Sequence, residues 1–199
     1  MSYSGVSSGR RRFLTGAVSV VGAVGAGFAA VPFVVSWQPS ERAKALGAPV
    51  QVDISKLEPG MRAVIEWRGK PVWVVRRTSE ALAAMDEDIG QLRDPASNES
   101  DQPKYATNDY RSIKSEYLVL VGLCTHLGCA PTYVRAGEGG QFNLSSDWIG
   151  FFCPCHGSKF DLAGRVYQGV PAPTNMEVPP HRYLTDSVLE IGVDTGGNA

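Results

Sequence analysis

Two short segments hold nearly all the metal-binding chemistry of this chain: Cys124-Thr125-His126-Leu127-Gly128-Cys129 and Cys153-Pro154-Cys155-His156-Gly157-Ser158. All four cysteines and two of the three histidines lie in them, leaving His181 as the third. A chain built on disulfides alone has no need of histidines beside its cysteines. The Cys-x-His and Cys-x-x-His spacings offer two thiolates and two imidazoles to one site, so the fold must bring two loops together. Gly128 and Gly157 permit positive φ and close backbone approach, and Pro154 stiffens the second loop. Zinc is the simplest occupant, since it accepts a Cys2His2 set in tetrahedral geometry. However, six candidate ligands stand where zinc needs four. The usual Cys-x2–4-Cys zinc spacing is met in the first loop only at its upper edge, by Cys124 and Cys129. The residue types alone do not say which two cysteines are ligands.

The N-terminus sets the compartment. Arg10-Arg11-Arg12-Phe13-Leu14 resembles a twin-arginine export signal, the route for proteins that fold around a cofactor before crossing the membrane. No charged residue occurs in 13–40. The apolar part runs to about Trp37, and roughly 25 residues at ~1.5 Å each span the ~30 Å hydrocarbon core with some tilt. A removable signal peptide has an apolar region of only ~7–15 residues, and Ala43-Lys44-Ala45 lies too far along to be its cleavage site. Residues 13–37 therefore read as an uncleaved transmembrane anchor. Gly22, Gly25 and Gly27 suit close helix packing, Pro32 marks a kink position, and Trp37 fits an interfacial anchor. The arginines keep residues 1–12 cytoplasmic. The remainder then faces the periplasm from the bacterial inner membrane, where a disulfide can persist.

Residues 38–49 are small and polar and read as a flexible hinge linker, with 41–46 either a short helix or extended. Residues 50–199 form the head. Frequent Gly and Pro favour a β-rich, loop-rich domain. Strands are expected at 50–54, 61–67, 71–77, 117–123, 148–152 and 187–193. A short helix capped near Thr78 is expected over 81–85. Asp86-Glu87-Asp88 reads as its solvated end, and 89–115 as a long polar excursion. The fold class is mainly β, an antiparallel β-sandwich with a two-loop subdomain at about 122–174. A net charge of −1 gives no basic footprint, which argues against a nucleic-acid partner.

The paired loops resemble those of the Rieske iron–sulfur family, and the anchor, linker and head together resemble the Rieske subunits of bacterial cytochrome bc complexes. That resemblance implies one Rieske-type 2Fe–2S cluster, with Cys124 and Cys153 on the buried iron and His126 and His156 on the outer iron. It pairs Cys129 with Cys155 in a disulfide and makes Leu127 a hydrophobic cap. Ser158 matches a serine that donates to a bridging sulfide. A tyrosine that often donates to a cysteine sulfur is here Phe160, which implies a lower potential than in tyrosine-bearing relatives. Gly169-Val170-Pro171-Ala172-Pro173 resembles a covering proline loop, with Val170 as an apparent insertion. His181, with no other ligand beside it, reads as structural or surface.

Replacing two thiolates by neutral imidazoles leaves the oxidised cluster near zero charge, so reduction is easier. Rieske potentials accordingly fall at about −150 to +300 mV, against about −400 mV for plant-type ferredoxins. An imidazole bound through one nitrogen carries a proton on the other, which couples electron and proton uptake. The resemblance therefore implies a subunit of ubiquinol–cytochrome c reductase. It also implies that His156 contacts ubiquinol held by cytochrome b and takes its proton, and that the electron goes on to a membrane-anchored c-type cytochrome. The same resemblance implies a dimeric complex in a lipid bilayer that contributes to proton translocation. An oxygenase would need two further histidines and a carboxylate for its mononuclear iron, and only His181 remains. The Rieske subunit of another exported oxidoreductase, of the arsenite oxidase type, is the alternative. The anchor, the proline loop and the Pro-Ala-Pro-x-Asn-x-Glu-Val-Pro stretch favour the bc complex.

Overall fold

The computed structural model describes residue 5 and residues 7–87 and 89–194, with backbone only at 86 and 87. The reading of Asp86-Glu87-Asp88 as a solvated end lies outside the described residues. The chain divides into two units, residues 1–45 and 46–199.

The first unit contains helix α1, Ser8–Ser36, which begins before the arginines because Ser7 caps it, accepting from the Arg10 N–H. None of its side chains is buried and Pro32 lies within it. Mean hydropathy over its most apolar window is 2.1, so by length and composition it can cross a membrane. A second helix, α2 (Glu41–Leu46), follows, which decides the open reading of 41–46. Ser40 Oγ accepts from the Ala43 N–H at its start, and Lys44 pairs with Glu41 at 2.8 Å across one turn.

The second unit is built from three antiparallel three-stranded sheets. β1 (Val50–Asp53) and β8 (His181–Tyr183) flank β9 (Val188–Ile191). β2 (Arg62–Trp67) pairs with β3 (Lys70–Arg76), which pairs with β4 (Tyr117–Val121). β5 (Thr132–Val134), β6 (Gly150–Phe152) and β7 (Lys159–Phe160) form the third sheet.

Period-two alternation explains how the layers stack. On β3 and β4, Val72, Val74, Val119 and Val121 face one core with Ile54, Trp67, Leu189 and Ile191. The intervening Trp73, Val75, Leu118 and Leu120 face a second core with Phe151, Phe160 and Leu162. A sheet covered on both faces reads as a continuous apolar run rather than an alternating one. That is why 117–121 stands out in the sequence. Strands β5, β7 and β8 were not anticipated from sequence, being only two or three residues long. Helix α3, Ser79–Glu87, is capped by Thr78, whose Oγ1 accepts from the Ala81 N–H. The polar excursion holds two short 3-10 turns, Ile89–Gln91 and Lys104–Ala106.

Candidate metal centre

β4 delivers the first Cys/His loop and β6 the second. The two loops share one backbone design. In the first, Cys124 N–H donates to Cys129 O at 2.7 Å and Gly128 N–H to Cys124 O at 2.9 Å. In the second, Cys153 N–H donates to Ser158 O at 2.8 Å and Gly157 N–H to Cys153 O at 2.9 Å. Each turn closes through a glycine in the left-handed region, with φ of 80° at Gly128 and 76° at Gly157. Nothing crowds either Cα, so it is the dihedral rather than space that demands glycine there.

The four cysteines separate into two kinds. Cys129 and Cys155 form a disulfide across the loops. Cys124 and Cys153 are free thiols, both buried. Burial pushes the Cys124 thiol up; the His126 N–H and the Ser158 hydroxyl act against this, while the adjacent Cys153 thiol adds to it. The buried Cys124 thiol therefore resists ionisation, and a bound cation would reverse that by holding it as a thiolate. The Cys153 sulfur also lies within 4.8 Å of the two disulfide sulfurs. Those atoms are already bonded to one another and have no thiolate to donate, so this trio is not a ligand set.

His126 and His156 lie on the outer side of the loops, half-buried and exposed respectively. Their rings meet edge to face with centroids 4.8 Å apart. Leu127, at the tip of the first loop, is 73% exposed, as a cap at that tip would be. The donors thus comprise two inner sulfurs and two outer ring nitrogens. This fits a mixed-ligand two-iron cluster better than one zinc ion among the cysteines.

A third segment backs both loops. Thr125 Oγ1 donates to Thr174 O at 2.7 Å, and Ala172 N–H donates to the fully buried Ser158 Oγ at 3.1 Å. With that lone pair engaged from outside, the Ser158 hydroxyl hydrogen is available to the thiol side. Gly169 turns the segment with φ of 72°, and Pro171 and Pro173 are exposed on either side of buried Ala172. Val170 is half-buried against the core. Its carbonyl and that of Pro173 accept from the Arg93 guanidinium. The inserted residue is therefore built into the packing.

One contributor escaped the sequence reading. Asn175 receives the Val166 N–H at Oδ1 and donates through Nδ2 to Asp94 O and Ser97 Oγ. It ties the proline segment to the polar excursion. Its place in the Pro-Ala-Pro-x-Asn stretch was the only available signal. Phe160 is fully buried on β7, opposite Phe151. His181 is buried, with Nδ1 2.8 Å from Pro179 O and burial lowering its pKa, so it is structural rather than a surface group.

A sheet-borne pair of Cys/His loops, bridged by a disulfide and backed by a proline segment, defines the Rieske class of iron–sulfur proteins. Residues 96–181 match the Rieske [2Fe-2S] domain family model, and residues 1–40 match the model for the ubiquinol-cytochrome c reductase Fe-S subunit TAT signal. The chain is 59% identical to the ubiquinol-cytochrome c reductase iron-sulfur subunit of Allochromatium vinosum, covering 98% of this chain and 94% of that one. It is 41% identical to the subunit of the same name from Rhodospirillum rubrum, over 96% of each chain. The chain belongs to the family of ubiquinol–cytochrome c reductase iron–sulfur subunits, Rieske-type 2Fe–2S proteins of an oxidoreductase complex. The apolar N-terminal helix and the export signal fit a membrane-anchored, exported subunit.

Proposed function

We propose that Cys124 and Cys153 hold the inner iron and His126 and His156 the outer iron of the 2Fe–2S cluster, and that His156 is the contact for ubiquinol. The disposition of donors carries this reading: two buried free thiols lie inside two outward imidazoles, and a disulfide excludes the other cysteines. When bound, the cluster supplies a one-electron acceptor for quinol oxidation. The free ring nitrogen of exposed His156 accepts a hydrogen bond from a quinol hydroxyl and takes its proton. Leu127 offers the quinol an apolar surface. The disulfide and the proline segment, with Gly169, Pro171 and Pro173, limit water at the inner thiolates. Ser158 donates its hydroxyl toward the sulfur side.

Residues 13–37 anchor the chain in the bacterial inner membrane, residues 38–49 act as the hinge, and residues 50–199 form the periplasmic head, with its cluster-binding subdomain at about 122–174. The partners are cytochrome b and a membrane-anchored c-type cytochrome in a dimeric complex. The test is purification of the tagged full chain from membranes. Co-purifying cytochrome b and a low-average-g electron resonance signal are expected, and quinol–cytochrome c reductase activity should be lost in His156→Ala. A colourless protein carrying zinc would defeat the cluster assignment. A molybdenum subunit in place of cytochrome b would defeat the complex.

A further inference from the structure

The proline segment that backs both Cys/His loops is poor in donors. Pro171 and Pro173 have no N–H, and the Ala172 N–H donates to Ser158 Oγ at 3.1 Å. The segment has little to pair with in itself, so its carbonyls draw donors from elsewhere in the chain.

Residues 91–94 run along it as a strap. Before the segment, Gln168 N–H donates to Gln91 O at 2.8 Å and Gln168 Nε2 to Leu92 O at 2.9 Å, while Arg93 N–H donates to Val166 O at 2.9 Å. After it, Asn175 Nδ2 donates to Asp94 O at 2.9 Å. Between these ends, the exposed Arg93 guanidinium donates through Nη2 to Val170 O at 3.2 Å and through Nη1 to Pro173 O at 3.3 Å. The backbone contacts fix the root of the Arg93 side chain, and its head holds a carbonyl on each side of Ala172. A planar guanidinium presents its two outer nitrogens as a rigid fork, which suits two separate acceptors better than the single nitrogen of an ammonium group.

We propose that Arg93 is a positioning residue for the redox centre: its guanidinium keeps the proline segment where the Ala172 N–H meets Ser158 Oγ, and so keeps the Ser158 hydroxyl hydrogen turned toward the Cys124 sulfur. The inference rests on the cluster assignment above. The contacts run from Arg93 to sulfur through one short stretch of backbone: guanidinium to the carbonyls of Val170 and Pro173, Ala172 N–H to Ser158 Oγ, and Ser158 hydroxyl to Cys124. With its oxygen engaged by Ala172, the hydroxyl loses freedom to rotate away. A hydrogen-bond donor to a ligand sulfur favours the reduced cluster, because reduction adds negative charge there. Releasing Arg93 therefore lowers the potential without touching a ligand.

The experiment is an electron-resonance-monitored redox titration of the full-length, cluster-loaded chain carrying Arg93→Gln or Arg93→Lys, each alone and combined with Ser158→Ala. Arg93→Gln should lower the reduction equilibrium by up to about fivefold, the worth of one typical hydrogen bond, or about 40 mV at 59 mV per tenfold. Arg93→Lys keeps the charge but brings one nitrogen to two carbonyls, and should shift the equilibrium in the same direction by less. In the Ser158→Ala background neither substitution should shift it further, since the hydroxyl through which Arg93 acts is gone. An arginine acting by its charge alone would give a wild-type potential in Arg93→Lys and the same Arg93→Gln shift in both backgrounds. One serving stability alone would change the unfolding temperature and leave the potential unmoved. Either result would overturn the proposal. Lack of a resonance signal from the wild-type chain would instead count against the cluster assignment.

Discussion

Phe160 shows how a single side chain can set a property that the fold leaves open. It is fully buried on β7, in the strand that immediately follows the second loop. A phenyl ring at this position provides no hydrogen-bond donor. Phe160→Tyr adds one, and a hydrogen bond of about 1 kcal/mol corresponds to roughly 40 mV for a one-electron couple. Protein-film voltammetry should therefore record a rise of that order, and an unchanged midpoint would refute the argument. Asp94 supports a prediction about acid stability. Burial pushes its carboxyl up, but the N–H groups of Glu99 and Asn98, the Ser100 hydroxyl and the nearby Arg111 outweigh this, and its pKa is lowered. A carboxyl lowered in the folded state stabilises fully above its unfolded pKa, near 3.8. That contribution is lost as pH falls through the folded value. Asp94→Asn should be less stable than wild type at neutral pH, with the gap closing below about pH 4, as read by thermal unfolding across pH. The ligand candidates were legible in the sequence because cysteine and histidine are scarce and occurred in two tight groups. Asn175 was not, because its partners Asp94 and Ser97 lie 81 and 78 residues away along the chain, and Asp94 was not, because polar residues in a loop look alike before folding.

At the scale of elements, legibility followed length and burial. The runs at 71–75 and 117–121 were evident because both faces of the sheet are covered there and nearly every residue is apolar. Helix α3 was evident from Thr78 ahead of an alanine-rich turn. Strands of two or three residues, such as β5 and β7, carry too little pattern to detect, and their pairing is imposed by the loops they flank. Residues 41–46 were ambiguous because a six-residue helix is marginal on local propensity alone. A Ser40 cap and one exposed ion pair add only a little to it. A proline inserted after Ala43 removes an interior N–H and clashes with the preceding turn, at about 3 kcal/mol. If 38–49 is the hinge, this insertion should slow quinol–cytochrome c turnover in stopped-flow assays while leaving the cluster's resonance spectrum intact. Unchanged turnover would rule out a mechanical role for this helix.

At the scale of the molecule, the two loops depend on one another. Each closes on its own backbone hydrogen bonds, but the Cys129–Cys155 bridge joins them across 26 residues of sequence. Removing such a crosslink typically costs about 2–5 kcal/mol. Cys129→Ala with Cys155→Ala should lower the unfolding temperature and speed loss of iron to a chelator, measured as bleaching in the visible. Equal bleaching rates would show that backbone closure alone retains the metal. The same bridge also implies an order of events. A twin-arginine substrate crosses the membrane already folded around its cofactor, and the cytoplasm in which it folds keeps thiols reduced. On the proposed export route, metal loading would therefore precede oxidation of Cys129 and Cys155. The newly made protein travels with an open latch, which snaps shut only on arrival, so its most vulnerable moment is the journey rather than its working life.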